Sequence, residues 1–384
     1  MPAAPRADHP TAFLLGEPYL SEPLARHIRN RGAPAIALDG AGRLQAATHH
    51  IPLTTAEDFV EDYRSRRHAP LLLAVSPRAP AWIAEHLAGS ALAEQVAVLD
   101  DKVAFRRRTA ELYPDFRFQP VDPRHPDPPT ELPVLVKPAH GSGGVGVRNI
   151  EGEGQWHRHL HTLAEDGCQA AIAEQVLEGP EYAADFVLGV DGRLRIVTVL
   201  ERLAPAESLT FLYRTDPELR DRMGEFIATE LLRVADHLHL APMTGVAEFR
   251  TGHDGRLTPV EINPCRFGAW GTADIAPYAY GTDPYQQLTE DVIGNVAHRR
   301  DGTRHLVGFV DRPRKPTAGV DYELLAPGTA EVEEIRPVSG ESAPFLAALF
   351  LRTTTPDAFD RTVETLRRGV PEEALYGQRQ GSGS

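Results

Sequence analysis

Residues 244–264 read TGVAEFRTGHDGRLTPVEINP, and this stretch decides the fold of the central part of the chain. Two runs of alternating apolar residues flank an Asp-Gly pair at 254–255, which is a strong short-range signal for a two-residue hairpin turn. A turn centred on that pair places Glu248 directly opposite Glu261 on the neighbouring strand. Because side chains alternate between the two faces of a strand, Asn263 shares a face with Glu261. The sequence therefore predicts two carboxylates and an amide on one face of a hairpin.

The facing carboxylates have two interpretations. Directly opposed residues have Cβ atoms about 5 Å apart, and two carboxylates at that distance repel each other and destabilise a sheet. A divalent cation removes the repulsion, and the oxygens of Glu248, Glu261 and Asn263 are ligands that suit Mg²⁺. Alternatively, the pair belongs to a solvated charged face on which Arg250, two residues along the strand, offsets the charge of Glu248. The hairpin pattern alone leaves both interpretations open.

Composition and charge narrow the class of partner. The chain has 384 residues, 42% hydrophobic and 24% charged, as in ordinary globular enzymes of two or three domains. Its formal net charge of −14 disfavours nucleic acids and anionic membranes, which bind basic surfaces, but leaves ATP open. The two cysteines, Cys168 and Cys265, are too few for a disulfide framework or a structural zinc site. Because neither a secretory signal nor a membrane-spanning apolar run is found, we expect a cytoplasmic protein.

The first hundred residues alternate short apolar runs with helical stretches. This rhythm predicts a small open parallel sheet with crossover helices. The predicted strands lie at 12–15, 35–38, 71–75 and 96–99, and the predicted helices at 20–31 and 81–92. A further helix is predicted over 102–113, with Asp100 or Asp101 as its N-cap, followed by a proline-rich linker at 119–130.

After residue 131 the pattern changes to strands and hairpins. Strands are predicted at 133–138, 145–150, 171–177, 182–190, 193–201, 306–310 and 346–352. An Asp-Gly pair at 191–192 marks a second hairpin, and apolar residues at helical spacing predict helices over 218–240 and 356–368. The fold class is therefore α/β, an open parallel sheet followed by two α+β subdomains. The expected divisions are a parallel domain at 1–100, a helix and linker at 101–130, a small subdomain at 131–200, a large subdomain at 201–300, and a C-terminal segment packing on them at 301–380.

A glycine-rich loop, HGSGGVG at 140–146, follows one of these strands. Glycines allow backbone N–H groups to approach phosphate oxygens closely. A dinucleotide-binding site would continue as a helix, and a P-loop would end in Lys-Ser or Lys-Thr, but the residues after 146 fit neither. The His-Arg-Asp and Asp-Phe-Gly motifs of protein kinases are also missing downstream. A flexible hairpin that closes over phosphates and a purely structural turn remain.

Two lysines near this loop have both functional and ordinary interpretations. Lys137 interrupts an apolar strand, where a lysine is costly unless it pairs with an anion such as phosphate. The alternative is an edge-strand lysine whose ammonium reaches solvent. Lys102 begins a predicted helix next to two acids, where exposed lysines are common. The place of Lys137 just before the glycine loop favours the phosphate role.

Residues 174–181 read EQVLEGPE and leave a predicted strand for an acidic turn. The edge of such a strand offers backbone N–H and C=O groups to an adenine, and an acid that follows can accept hydrogen bonds from ribose. By itself, the segment is equally a strand that ends in a turn.

Two further features favour ordinary interpretations. His157, His159 and His161 have the spacing of zinc ligands on a helix, but with no further ligand evident we predict a surface helix. Cys265 is next to the proposed metal face without a catalytic partner in the sequence, and we expect it to be a small residue of the site wall.

Together these motifs resemble the ATP-grasp superfamily, which includes biotin carboxylase, D-alanine–D-alanine ligase and the L-amino acid ligases. The resemblance spans roughly residues 95–275 in the family's order, and it is to the L-amino acid ligase or carboxylate–amine ligase branch. It implies that Lys102 and Lys137 bind the phosphates of ATP under a glycine lid formed by His140, Gly141, Ser142, Gly143, Gly144, Val145 and Gly146. It further implies an adenine hinge of Glu174, Gln175, Val176 and Leu177, with Glu181 on the ribose. Glu248, Glu261 and Asn263 match the family's ligands for one or two Mg²⁺ ions, with Mn²⁺ as a substitute, and the carboxylates thereby belong to the ATP site.

The chain departs from the family at one point. Many members have an arginine directly after the metal Asn-Pro pair, whereas here Cys265 precedes Arg266. Arg250 and Arg266 are therefore both candidates for the catalytic arginine, next to Lys137. The expected substrate-binding residues are Arg202, Arg214, Arg266 and Gly268, since an arginine can clamp a carboxylate in bidentate fashion.

The resemblance implies an ATP-dependent ligase that joins a small-molecule carboxylate to an amine, such as two amino acids. It implies an acyl-phosphate intermediate, ADP and phosphate as products, and a homodimer. An ATP-grasp carboxylase that uses bicarbonate is one alternative. The other is a non-catalytic ATP-binding regulatory module.

Overall fold

A computed structural model gives the structure of the chain and describes residues 11–16, 20–66, 68–141, 143–203, 211–252, 255–288, 303–311, 327–337 and 345–368. The described residues form three sheets, of three, four and eight strands. Ser142 of the glycine lid lies outside the described residues, as do His253 and Asp254 of the hairpin turn. No helix among the described residues is long and apolar enough to cross a membrane.

The three-stranded sheet near the N-terminus is parallel, as predicted. Its strands are β1 (Thr11–Leu15), β2 (Ala35–Ala37) and β3 (Leu71–Val75), in the order β2-β1-β3. The helices that accompany it are α1 (Glu22–Arg31), α2 (Gly40–Thr48), α3 (Ala56–Ser65) and α4 (Ala79–His86). The Ser21 hydroxyl accepts a hydrogen bond from Leu24 N at the start of α1, which is the usual way in which a serine caps a helix.

The predicted strand at 96–99 is wrong, because these residues belong to helix α5 (Ala91–Asp100). Ser90 caps this helix, and Leu92, Val96 and Leu99 are buried on one side of it. Their spacing is that of a helix face rather than of a strand. The predicted helix over 81–92 is likewise divided between α4 and α5. The expected helix at 102 is confirmed as α6 (Lys102–Thr109), and its N-cap is Asp101.

The four-stranded sheet carries the glycine lid. Its strands are β4 (Phe118–Val121), β5 (Val134–Pro138), β6 (Arg148–Ile150) and β7 (Ala171–Gln175), in the order β4-β7-β5-β6, and all its neighbours are antiparallel. Helix α7 (Glu153–Glu165) covers one face and buries Trp156, Leu160 and Leu163 against Val136 and Ile150. The lid is the connection between β5 and β6.

The eight-stranded sheet has the order β12-β11-β8-β9-β10-β13-β15-β14. Its strands are β8 (Glu181–Leu188), β9 (Leu194–Arg202), β10 (Leu212–Thr215), β11 (Met243–Thr251), β12 (Leu257–Pro264), β13 (Arg304–Asp311), β14 (Glu331–Pro337) and β15 (Phe345–Thr353). Its helices are α8 (Pro217–Leu238), α9 (Ala276–Tyr280) and α10 (Pro356–Arg367). The step from the smaller sheet to this one falls between Gln175 and Glu181, ahead of the expected division at residue 200, because β8 pairs with β9 and with the hairpin strand β11. The C-terminal strands extend the same sheet through the pairing of β10 with β13.

The N-terminal sheet docks directly on the hairpin of β11 and β12. The backbone N–H of Ala74 on β3 donates to the carbonyl of Cys265, and the Thr244 hydroxyl donates to the carbonyl of Leu72, at 2.5 and 2.6 Å. Apolar side chains of the two sheets, including Leu72 and Phe249, share one core. This docking fixes the end of the hairpin, where Asn263 and Arg266 lie.

Candidate active site

The hairpin has the predicted pairing at its acidic positions. Glu248 pairs with Glu261, and Val246 pairs with Asn263. The register shifts by one residue between Glu248 and Phe249, so that β12 carries a bulge at Val260. The turn also differs from the prediction: Gly252 N donates to the carbonyl of Arg256, which encloses three residues rather than two. Gly255, the last of the three, has φ +74°, as the αL position of a three-residue hairpin loop requires.

The two facing carboxylates have different surroundings. Burial alone would raise the pKa of Glu261, but the Lys102 ammonium at 3.2 Å and the Asn263 amide at 2.8 Å outweigh it and lower that pKa. Burial, together with the Glu261 and Glu181 carboxylates, raises the pKa of Glu248. Among the described residues none donates a hydrogen bond to the carboxylate of Glu248.

This arrangement fits a hard divalent cation. Two carboxylates share one face, one of them lacks a donor among the described residues, and an added positive charge would relieve both. Asn263 Nδ2 faces Glu261 and its Oδ1 accepts from Arg266 Nη2 at 2.5 Å. The set holds two carboxylates and an amide, and no group of three His, Cys, Asp or Glu side chains suited to a metal occurs in the described part of the chain.

Both predicted lysines lie beside carboxylates. Lys102 Nζ donates to the carbonyl of Gly141 at 2.8 Å, in addition to its contact with Glu261. Lys137 is buried, and its Nζ lies 2.6 Å from Glu174 Oε2. Burial alone would raise the pKa of Glu174, but Arg106 and Lys137 hold it at about 2. Lys102 thus connects the lid to the acidic face of the hairpin, and the side chain of the predicted hinge residue Glu174 holds Lys137.

The glycine lid is anchored at both ends. At its start Lys102 holds Gly141, and at its end His159 Nε2 donates to the carbonyl of Gly146 at 3.0 Å. Gly146 has φ +72°, and a Cβ there would lie 2.8 Å from Pro138 and 2.9 Å from Leu163. His159 is buried, although its helix was predicted to lie on the surface, and this burial lowers the pKa of His159. The predicted strand at 145–150 begins only at Arg148, because residues 144–147 form a turn.

A cavity of about 310 Å³ lies between the four-stranded and eight-stranded sheets. Its wall combines the two lysines, the lid, the predicted hinge and the acidic face of the hairpin, namely Lys102, Lys137, His140, Gly141, Gly143, Gly144, Val145, Glu174, Gln175, Val176, Leu177, Glu181, Glu248 and Glu261. Arg202 and Arg250 also line it, whereas Arg214, Asn263, Arg266 and Gly268 are not among its lining residues. The volume is within the usual range for small-molecule sites.

Comparison with known proteins agrees with this arrangement. Residues 130–274 match the family model described as an ATP-grasp domain. The chain contains an ATP-grasp domain. The matched range includes the glycine lid, β7, and the whole hairpin with its acidic pair. A search of curated protein sequences finds no match.

Solved structures share the fold along most of the chain. An L-amino acid ligase from Bacillus licheniformis matches with a TM-score of 0.65 at 13% identity, over 94% of this chain and 98% of that one. An N5-carboxyaminoimidazole ribonucleotide synthetase from Thermus thermophilus matches with a TM-score of 0.65 at 18% identity, over 96% and 99%. A biotin carboxylase from Campylobacter jejuni matches with a TM-score of 0.58 at 11% identity, over 94% and 91%. At these identities the likeness establishes the ATP-grasp fold.

The two candidate catalytic arginines of the ATP-grasp domain lie at different ends of its site. Arg250 Nε donates to Glu181 at 2.9 Å, and its Nη1 donates to the carbonyl of Leu177 at 2.7 Å, so that Arg250 belongs to the hinge end. Arg266 lies at the acidic face of the hairpin, beside Asn263. The extra residue before it, Cys265, has φ +57° and turns the chain, so that the Arg266 side chain returns to Asn263.

The other predicted binding residues are already engaged within the protein. Glu181 accepts from Arg202 Nη1 at 3.1 Å as well as from Arg250. Arg214 donates to Glu201 at 2.7 Å on the neighbouring strand. The Gly268 N–H donates to the buried carboxylate of Asp185. In the hinge, Gln175 N donates to the carbonyl of Arg117.

Sequence reasoning missed Arg106, which lines the cavity one helical turn after Lys102. Its guanidinium donates to Glu174 and to the backbone carbonyls of Pro259 and Val260. The i, i+4 spacing from Lys102 was the available signal. This signal was obscured because Arg106 is the first of three consecutive arginines, a pattern typical of the basic C-terminal end of a helix.

Proposed function

We propose that this protein is an ATP-dependent carboxylate–amine ligase that joins amino acids or similar small molecules. In this reaction ATP phosphorylates one substrate's carboxylate, which gives an acyl phosphate and ADP. The amine of the second substrate then attacks the activated carbonyl, and phosphate leaves. The observation that carries the proposal is the facing pair of Glu248 and Glu261 in a cavity that also contains Lys102 and the glycine lid. The shared fold of an L-amino acid ligase supports the substrate class.

In this proposal Glu248 and Glu261 hold Mg²⁺, with Asn263 beside them. Bound Mg²⁺ would offset the negative charge of the ATP phosphates during transfer. Glu248 fits this role because no described residue donates to its carboxylate and burial raises its pKa. Asn263 Oδ1 accepts one hydrogen bond, from Arg266, and has a second lone pair for a cation.

The cationic side chains of the site act on the transferring phosphoryl group. Lys102 and Arg266 lie on either side of Glu261 and Asn263, so they are placed to offset charge that develops there. Lys137 reaches the cavity wall from β5 and is held by Glu174. The glycine lid closes over the phosphates and excludes the water that would hydrolyse an acyl phosphate.

The substrate side of the site is proposed to contain Arg202, Arg266 and Gly268. Arg202 lines the cavity with its guanidinium over the Phe211 ring, at 5.4 Å from the centroid. Such a planar cation can bind a substrate carboxylate in bidentate fashion. Arg202 would bind a substrate beside its ion pair with Glu181 or after that pair opens, and Arg214 after its ion pair with Glu201 opens.

The direct test is mass spectrometry of the protein incubated with MgATP and a pool of amino acids. We expect ADP and a new mass that equals two substrates minus water. The variant Glu261→Gln should give neither product, because it removes one of the two facing charges. Its matched control is Glu225→Gln, which changes an exposed glutamate of α8.

Other outcomes would separate the alternatives. AMP with pyrophosphate would contradict the acyl-phosphate mechanism. ADP formation that depends on bicarbonate rather than on an amine would indicate a carboxylase. Tight ATP binding without turnover, with every pool tested, would indicate a binding module.

A further inference from the structure

The bulge in β12 decides on which face Glu261 lies. Between the turn and the bulge, Phe249 pairs with Pro259. If the same sequence continued from Pro259 without a bulge, this register would place Glu261 opposite Ala247. Because side chains alternate along a strand, Glu261 would then point away from Glu248. The facing carboxylates therefore exist only because Val260 is bulged.

Arg106 holds this bulge. One of its guanidinium nitrogens donates to the carbonyl of Pro259, and Nη2 donates to the carbonyl of Val260 at 3.2 Å. A bulge interrupts the regular ladder, and a buried carbonyl left without a donor would be costly. Arg106 comes from helix α6, so the shape of the hairpin depends on a residue distant in sequence.

The same guanidinium also reaches the lysine side of the site. Arg106 Nε donates to Glu174, and the other oxygen of Glu174 lies 2.6 Å from Lys137 Nζ. Arg106 is 3% exposed and lies over the Phe116 ring, 4.4 Å from its centroid. A planar fork with several donors is needed for this set of contacts, and a lysine ammonium does not reproduce it.

We propose that Arg106 is the positioning residue of this site, which sets the face of Glu261 through the bulge and the place of Lys137 through Glu174. The two halves of the site, the metal carboxylates and the phosphate lysine, are thereby assembled by one side chain. This inference rests on the proposed function for the roles of Glu261 and Lys137. A purely structural role would stabilise the fold without affecting metal affinity in a folded variant.

The test compares Mn²⁺ binding by the wild type, Arg106→Lys and the control Arg107→Lys. Mn²⁺ is measured by electron paramagnetic resonance without nucleotide, after circular dichroism and gel filtration have shown that each variant folds. Arg107 is the exposed neighbour of Arg106 on the same helix. Supporting residues behind metal ligands typically change metal affinity about 10- to 100-fold. We therefore expect Arg106→Lys to bind Mn²⁺ at least about tenfold more weakly, and Arg107→Lys to bind it like the wild type.

A second variant keeps the test valid if Arg106→Lys does not fold. Glu174→Gln weakens the hold on Arg106 from the opposite side, and Glu174 is not a proposed metal ligand. We expect it to weaken Mn²⁺ binding as well, by a smaller factor. Wild-type affinity in any folded variant of Arg106 or Glu174 would overturn the inference and leave the proposed function intact. If the wild type itself binds neither Mn²⁺ nor MgATP, the proposed function fails instead.

Discussion

Two pairs of acids lie in the cavity wall, and their partners differ. Glu174 and Glu181 at the hinge end are buried, whereas Glu248 and Glu261 on the hairpin are half-buried. Glu174 and Glu181 each receive two cationic side chains, from Arg106 and Lys137 and from Arg202 and Arg250. In the described part of the chain, Glu248 faces another carboxylate and receives no donor. The first pair is balanced inside the protein. In the second pair Lys102 balances Glu261, whereas Glu248 has no such close cation among the described residues, and a bound cation would complete the balance.

The difference separates structural acids from ligand acids. A buried carboxylate that two cations already neutralise acts within the fold, so its substitution should change the stability of the protein. A carboxylate pair short of positive charge creates affinity for a cation and costs stability until that cation arrives. Substitutions at the two ends should therefore affect different properties.

The largest expected effect is that of Glu261→Gln on turnover. The substitution removes one of the two facing charges with little change of shape, and we expect ATP-dependent product formation to fall by about 10³-fold or more. The melting temperature should change little, because the lost repulsion with Glu248 offsets the lost contact with Lys102. Initial rates and calorimetry of the variant and of Glu225→Gln measure both quantities, and a Glu261→Gln protein with half the normal rate would exclude the metal role.

Substitutions of Arg266 and Arg250 should change different kinetic parameters. Arg266→Met removes a cation at the metal face, so we expect kcat to fall by about 10²-fold with little change in the KM for ATP. Arg250→Met removes a contact at the hinge end, where we expect the KM for ATP to rise by about tenfold and kcat to stay within a few-fold. Steady-state kinetics with varied ATP measures both. The opposite assignment of kcat and KM effects would make Arg250 the catalytic arginine.

At the hinge end, Glu174→Gln should reduce stability in a pH-dependent way. The folded carboxyl has a pKa of about 2, below the ordinary 4.5, so the folded state binds fewer protons. The stabilisation is complete above pH 4.5, is lost as the pH falls towards 2, and amounts to about 3 kcal/mol at neutral pH. Urea unfolding of wild type and variant at pH 7, 5, 4 and 3 should show a gap in the free energy of unfolding that narrows below pH 4.5. A gap that stays constant with pH would show that the ion pairs are not its cause.

The smallest expected effect concerns the lid. Gly146→Ala adds a Cβ at φ +72° against Pro138, whereas Gly167→Ala adds one at φ +84° with open space around it. Both should lose about 1 kcal/mol of stability from the backbone conformation. Only Gly146→Ala should also raise the KM for ATP, by about three- to tenfold, since it shifts the end of the lid. Equal KM values for the two variants would show that the end of the lid does not contribute to ATP binding.

The hairpin shows how much of the site could be predicted from the sequence. The Asp-Gly pair and the alternation of apolar residues were enough to predict that Glu248 faces Glu261. The pairing was correct although the turn is one residue longer, because the bulge at Val260 compensates for the longer turn. The alternating pattern of β12 does not reveal this bulge, because the side chain that binds its carbonyl, Arg106, belongs to another element, α6.

The remaining errors have different origins. The apolar run at 96–99 has the length of a strand, and its burial beside Leu92 shows a helix face. His159 was grouped with two exposed histidines, although its ring supports the lid from below. For His159 a tertiary contact, absent from any local window of sequence, decided the outcome. For 96–99 the spacing of Leu92, Val96 and Leu99 was a local signal for the helix.

The most direct test of an acyl-phosphate intermediate is oxygen transfer from the substrate carboxylate to phosphate. The protein is incubated with MgATP and a pool of amino acids that carry ¹⁸O in their carboxyl groups, and the released phosphate is analysed by mass spectrometry. Attack of the carboxylate on ATP followed by loss of phosphate from the acyl carbon predicts one ¹⁸O atom in each phosphate that accompanies product. Product formation with unlabelled phosphate, or with AMP in place of ADP, would contradict the acyl-phosphate ligase.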